Sequence, residues 1–408
     1  MNCRHCLNEL EHSFINLGTS PPSNAFVSLD NLKSFEKWYP LNVLVCDKCW
    51  LVQTEDFVQA DEMFSPDYAY FSSFSTSFLK HCKSYVNDMV ERFKLNSNSL
   101  VVEVAANDGY LLQYFIKSDI PCYGIEPTHN TAEAAREKGI EIIESFFGLK
   151  TAKQLELNKN KADLMCANNV LAHVPDINDF VSGFTLLLKP NGVVTFENPH
   201  LLNLIKEKQF DTIYHEHYSY LSVISVKEIF LTNGLTLFDV EQLPTHGGSL
   251  RYFGQKTDSG KHPISPNVNK LISIENAAGL NDLTFYKGFQ LEAEIIKRDF
   301  VEFLINAKKN KKKVSGYGAA AKGNTMLNYS GIRSDLISFI VDLNPEKQNK
   351  YTPGSRIPIV NENFLIKEKP DYIVIFPWNL QSEIIDQLNY VRDWGCKFVI
   401  LIPELKII

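Results

Sequence analysis

Two Cys-x-x-Cys pairs, Cys3-Arg-His-Cys6 and Cys46-Asp-Lys-Cys49, constrain the start of this chain more than any other feature. Each pair sets two thiolates within reach of one ion, and two pairs complete a tetrahedral Zn²⁺ site with no coordination position left open. The metal is therefore expected to be structural, with Cys3, Cys6, Cys46 and Cys49 as ligands and His5 and His12 as bystanders. The interval 7–45 is longer than a usual zinc-ribbon spacer, so its turn-rich LGTSPPSNAF stretch reads as an excursion hanging from the knot. Cys82, Cys122, Cys166 and Cys396 stand singly in apolar patterns and read as core.

Thiols kept for a metal imply a reducing compartment. The opening MNCRHC has no apolar signal core, and no apolar run is long enough to span a bilayer. The expectation is a cytoplasmic chain with no membrane partner. A net charge of −7 argues against the basic face that a nucleic-acid binder needs. The one basic run, Lys308-Lys309 and Lys311-Lys312-Lys313, reads as a solvated helix end. At 408 residues and 44% hydrophobic, the chain has room for about three domains with sizeable cores.

After a phenol- and hydroxyl-rich stretch that includes Tyr68 and Tyr70, and a helix over 79–93, an α/β grammar begins. Residues 100–104 (LVVEV) form an apolar strand, 105–109 (AANDG) a tight turn, and a helix follows from 110. A second strand over 122–125 ends in the acid Glu126, placed to accept ribose hydroxyls. The turn lacks GxGxxG, with Ala105 where a first glycine would stand, so NAD and FAD are disfavoured. The acidic strand end at Glu103 suits a cationic ligand better than a pyrophosphate, which favours S-adenosylmethionine. Glu103, Asn107, Asp108, Gly109, Glu126 and Asn168 are the candidate cofactor residues. Further strands are expected at 141–143, 162–167 and 192–197, and a late pair at 235–241 and 249–254 would make an antiparallel edge. Residues 255–281 read as a surface loop and 282–309 as one long amphipathic helix. A third unit opens with a strand over 313–317, then Gly318-Ala-Ala-Ala-Lys322-Gly-Asn324 and a helix N-terminus suited to phosphate, with Lys322 supplying charge. Its later strands are expected at 336–341, 372–376 and 398–402.

Between the two α/β regions lies FDTIYHEHYSYLS, residues 210–222. It places the phenol of Tyr214 beside His215, Glu216 and His217. An imidazole removes a proton near neutral pH, and a neighbouring carboxylate or phenol orients it or shares its charge. His173, in NNVLAHVPD at the edge of the fourth strand, and Asn198, at the end of the fifth, stand where ligands of α/β sheets bind.

These segments together resemble the three-domain nucleotide-sugar C-methyltransferases. The likeness spans the chain and rests on the paired CxxC start, EVAANDGYLLQ, GIEP, NNVLAHVPD, FDTIYHEHYSYLS, GYGAAAKGNT and DLNPEKQNKYTPG. It implies an N-terminal zinc-binding domain (1–75), a central Rossmann-like class I methyltransferase domain (76–281) and a smaller C-terminal Rossmann-like α/β domain (282–408). It also implies methylation of a nucleotide-linked keto-deoxysugar, expected at C3 of a 4-keto-6-deoxy sugar, with S-adenosylmethionine as donor. Carried onto this chain, His217 is the general base, with Glu216 and Tyr214 beside it and Tyr68 and His173 near the sugar. Gly318, Lys322, Asn324 and Asn198 fall on the substrate side. Two rival readings use the same residues: an epimerase that deprotonates and reprotonates one carbon, and a zinc-ribbon scaffold. The oligomeric state is open.

Overall fold

The computed structural model describes residues 1–57, 71–74 and 76–408. Tyr68 and Tyr70 lie outside the described residues.

The two CxxC segments fold into the same knuckle. Cys3 donates its N–H to Asn8 O and accepts at its own carbonyl from Leu7; Cys46 does the same with Leu51 and Trp50. Leu7 (φ 63) and Trp50 (φ 60) both take the left-handed backbone that closes each turn. The knuckles are joined by an antiparallel sheet of His12–Ser20, Tyr39–Val45 and Val52–Thr54. Its fourth strand, Ser219–Tyr220, comes from the other side of the sequence and pairs antiparallel with Val52–Thr54.

Seven strands make the central sheet, in the order Leu235–Leu243, Ser249–Lys256, Leu188–Pro199, Ala162–Asn168, Val101–Val104, Cys122–Ile125, Glu141–Ile143. Ser249–Lys256 runs antiparallel to both its neighbours, giving the expected antiparallel edge, and the other pairings are parallel. The strand order reverses between Val101–Val104 and Ala162–Asn168, which opens a crevice at their carboxyl ends. The turn leaving the first strand is strained in the way its missing glycine foretells: Ala105 has φ 58 and Asn107 φ 47. Gly109 (φ 75) takes the left-handed backbone that a side chain would strain, and a Cβ there would also crowd Ile140 Cδ1 and Ala135 Cβ.

The C-terminal sheet has the order Ile359–Val360, Ile340–Val341, Val314–Tyr317, Tyr372–Ile375, Lys397–Ile400, Lys406–Ile407, parallel except for the last strand. Its reversal, between Val314–Tyr317 and Tyr372–Ile375, makes a second crevice. Gly318 (φ 85) packs there so closely on Pro377 that a Cβ would be 2.5 Å from Pro377 Cδ.

Three segments differ from the sequence reading. Residues 255–281 contain the helix Pro266–Ala278, whose Val268, Leu271 and Glu275 are buried. Ser265 caps it and Pro266 occupies its first turn, a start signal that the polar composition outweighed. The long helix breaks at Gly288 (φ 94) into Leu283–Tyr286 and Phe289–Lys309. The strand expected at 336–341 shortens to Ile340–Val341, because residues 334–336 form a turn. Among the described residues no helix is long and apolar enough to cross a membrane.

Candidate active site

Residues 210–222 are gripped by all three units. From the C-terminal unit, Trp378 Nε1 donates to Asp211 Oδ2 (2.8 Å) and Thr325 Oγ1 to Ile213 O (2.9 Å). From the N-terminal unit, Asn24 Nδ2 donates to Glu216 Oε2 (2.7 Å), and Thr54 Oγ1 to His217 O (3.0 Å). His215 Nε2 donates to Pro40 O (3.1 Å). In the central unit the Tyr218 N–H donates to Ala172 O (2.8 Å). The YHEH quartet is therefore divided. His215 and Glu216 bond to the N-terminal unit, whereas Tyr214 and His217 are half-buried with their ring centroids 3.9 Å apart.

His217 Nδ1–H donates to Thr212 O (2.7 Å), which fixes the tautomer and leaves the lone pair on Nε2. The His173 ring meets it edge-on at 4.6 Å. Removal from water, then repulsion from His173, Lys322 and His246, hold the His217 imidazole well below its ordinary pKa, against the pull of the Thr212 carbonyl. His173 is pushed down to about 4 by burial. Both rings are neutral near pH 7. Burial raises Glu216 to about 7, opposed by its bond to Asn24.

In the crevice of the central sheet, Glu103 is fully buried, and neither carboxylate oxygen has a hydrogen-bond partner among the described residues. Burial drives its pKa far up. The amide oxygen and nitrogen of Asn168 are equally orphaned, and so are those of Asn198 at the end of Leu188–Pro199. Asp108 pairs through Oδ2 with Lys138 (3.2 Å) and leaves Oδ1 unsatisfied. Asn107 Oδ1 accepts from the Ser72 N–H (2.9 Å). Glu126 was expected to face a ribose; its Oε2 takes the Asn107 N–H and its Oε1 the Thr128 N–H, each at 2.9 Å, so a ribose would share these oxygens with the turn.

In the C-terminal crevice, Lys322 Nζ lies 4.3 Å over the Trp378 ring and donates to Asn379 Oδ1 (2.9 Å). Burial lowers its pKa to about 8, with Asp211 pulling the other way. Asn324 serves as a strut, its Nδ2 donating to Ser23 O (2.7 Å) across to the N-terminal unit. Of the candidate substrate residues, Lys322 carries the charge, Gly318 gives the close packing and Asn324 ties two units together. Asp211, Trp378 and His246 were not singled out from sequence, although Asp211 lies inside the 210–222 motif and His246 in a His-Gly-Gly turn.

The four N-terminal sulfurs lie within 4.8 Å of one another, with Cys3–Cys49 and Cys6–Cys46 each at 3.5 Å. That spacing fits four thiolates around one tetrahedral ion. His5 bonds instead to Asn178 Oδ1 (2.9 Å).

Three family models match in tandem: a zinc binding domain over residues 3–64, a methyltransferase domain over 78–240 and a C-methyltransferase C-terminal domain over 244–403. The C-methyltransferase NovU of Streptomyces niveus is 32% identical over 406 residues, which are 100% of this chain and 96% of that protein. The chain belongs to the S-adenosylmethionine-dependent C-methyltransferases. More distant likenesses fall on less than half of the chain. Magnesium protoporphyrin IX methyltransferase from Synechocystis PCC 6803 is 14% identical, with 44% of this chain and 79% of that one covered at a TM-score of 0.34. An S-adenosylmethionine-dependent methyltransferase from Clostridium acetobutylicum is 11% identical, with 45% and 92% covered at 0.36.

The central crevice of this C-methyltransferase fits its methyl donor. The orphaned atoms of Glu103, Asn168 and Asp108 are buried polar groups that a polar ligand would satisfy. A cationic ligand is also the kind that lets a carboxyl such as Glu103 ionise. The N-terminal unit of the C-methyltransferase is a zinc-binding domain, and the cluster of Cys3, Cys6, Cys46 and Cys49 fits the ion; these four thiolates would hold it with no coordination position left open.

Proposed function

We propose that this C-methyltransferase methylates a nucleotide-linked keto-deoxysugar at the carbon beside its ketone, C3 of a 4-keto-6-deoxy sugar. The observation that carries the reading is the His217 imidazole, neutral, with its proton pinned on Nδ1 and its Nε2 lone pair free to act as base. The units 1–75, 76–281 and 282–408 would carry the metal, the methyl donor and the nucleotide sugar in turn. S-adenosylmethionine, when bound, supplies an electrophilic methyl group.

His217 Nε2 takes the acidic C–H proton, and that bond's electron pair moves into the enolate. The new C–C bond forms as the donor's S–CH₃ bond breaks, and the imidazolium then returns its proton to solvent. Tyr214 and His173 flank the base and are placed to keep the ring in line; Tyr68 is carried as a further sugar-side group. Glu216 acts at one remove, anchoring the segment through Asn24 rather than sharing the proton. Lys322 pairs with the diphosphate, while Gly318 and Asn198 shape the sugar side. The protein's part is base, alignment and exclusion of water.

Incubating the zinc-loaded protein with methyl-labelled S-adenosylmethionine and a panel of keto-deoxysugar nucleotides tests this. One sugar nucleotide should gain one labelled methyl. A product epimerised without mass gain, or no reaction across the panel, would overturn the reading.

A further inference from the structure

The turn that joins the two antiparallel strands of the central sheet has no part in the reaction drawn above, yet it reaches the same gap. His246 has φ 53, and Gly247 and Gly248 follow at 85 and 106, so three successive residues hold a backbone that L side chains rarely adopt. Such a run persists only where its surroundings over-determine it. A Cβ on Gly247 would lie 2.4 Å from the Trp378 ring, and one on Gly248 2.2 Å from Asn203 Nδ2. The turn is thus wedged between the C-terminal and central units.

That wedge holds the imidazole against Phe78, 5.9 Å between centroids and edge-on, with Nε2 3.5 Å from Asn169 Nδ2. An amide N–H directed at Nε2 puts the ring's own proton on Nδ1, where it is a donor. Asn169 is itself left-handed (φ 56) and anchored, its N–H donating to Glu197 O (2.7 Å). Burial and then Lys322 push His246 down to about 4, so the ring is neutral. Trp378 ties the turn to the motif segment: its ring edge packs on Gly247, Lys322 Nζ lies 4.3 Å over its face, and its Nε1 donates to Asp211 Oδ2 (2.8 Å), so the turn of His246, Lys322 and residues 210–222 meet around one side chain.

We propose that His246 is a further catalytic residue of the methyl transfer, its neutral imidazole donating a hydrogen bond from Nδ1–H to the ketone oxygen that becomes the enolate. The assignment rests on the keto-sugar reading. The donor keeps its proton throughout, and its effect arises because a preorganised N–H binds the charged oxygen more strongly than the ketone.

The test uses the full zinc-loaded chain, S-adenosylmethionine and the same panel of keto-deoxysugar nucleotides, with the variants compared on the member that the wild type methylates. Exchange of the C–H proton in D₂O is followed with S-adenosylhomocysteine as the bound product. His246→Ala should lower kcat and the exchange rate together by about 10²–10³-fold, with KM nearly unchanged. His246→Asn restores an N–H near the Nδ1 position and tolerates a left-handed backbone, so it should stay within about 10-fold of wild type. His246→Gly removes the donor without backbone strain and serves if the alanine variant misfolds. Near-normal kcat and exchange in a folded Ala or Gly variant, or an effect on KM alone, would overturn the assignment while wild-type transfer left the substrate reading standing. If the wild type neither exchanges nor transfers, the substrate reading falls and this assignment falls with it.

Discussion

The proposed base, His217, must be neutral to act, and two features keep it so: the Thr212 carbonyl holds its proton on Nδ1, and its surroundings depress its pKa. His217→Asn keeps a donor to Thr212 but has no basic nitrogen. It should cut methyl transfer by about 10³-fold or more while both ligands still bind, read by single-turnover kinetics beside calorimetry. Near-normal turnover would reject His217 as base. The same groups set a pH profile. Because kcat/KM reports the free protein, it should stay high down to about pH 6.5 and fall only below the ordinary histidine range, where the depressed imidazole at last takes a proton. The alkaline limb should come near pH 8, where Lys322 loses its charge. Lys322→Arg stays charged and should abolish that limb; an unchanged alkaline limb in the arginine variant would exclude Lys322 as its source.

At the scale of elements, the helix Pro266–Ala278 does more than cover the sheet. Its Glu275 is fully buried, accepting from His200 Nε2 (2.7 Å) and from the N–H groups of Val223 (2.7 Å) and Ile224 (2.9 Å). It therefore satisfies the open N-terminus of the helix Val223–Thr232 that leaves the motif segment. Glu275→Ala should cost about 3 kcal/mol by stranding these donors, and Glu275→Gln about 1 kcal/mol. Urea unfolding would show this as a lower midpoint at unchanged slope; equal midpoints for Ala and wild type would refute it. This helix also marks where sequence reading ends. The knuckles, the strand-turn-helix units and the antiparallel edge were legible because spacing and period-two apolar runs are local signals. The helix was hidden because only Val268, Leu271 and a carboxylate face inward among asparagines and serines. Ser219–Tyr220 was hidden because a two-residue strand has no pattern of its own, and its partner at Val52–Thr54 is far away in sequence. The division of the YHEH quartet was equally non-local, since Asn24, Pro40 and Thr54 decide it.

For the molecule as a whole, the three units share their packing. Phe14 of the N-terminal sheet stacks on Phe289 of the C-terminal unit at 4.6 Å and 11°, within an apolar cluster that also takes in Leu201, Phe210 and Tyr220. The zinc knot therefore lies at one end of a continuous chain of contacts. Cys46 and Cys49 hold the hairpin that presents Val52–Thr54, that strand pairs with Ser219–Tyr220, and Thr54 Oγ1 holds the carbonyl of His217. A metal held there would be structural in its coordination and, through these contacts, would set the position of the proposed base. Because Glu103, Asn168 and Glu126 belong to the central sheet, stripping zinc should separate the two ligand functions. Chelator-treated protein should bind S-adenosylmethionine within about 3-fold of the zinc-loaded form yet lose methyl transfer by about 10²-fold or more, recovering when Zn²⁺ is restored. Calorimetry and a labelled-methyl assay on the same preparation measure both. Transfer that survives complete zinc removal would show that the knot does not position His217, and equal loss of binding and transfer would show that the central sheet does not stand without it.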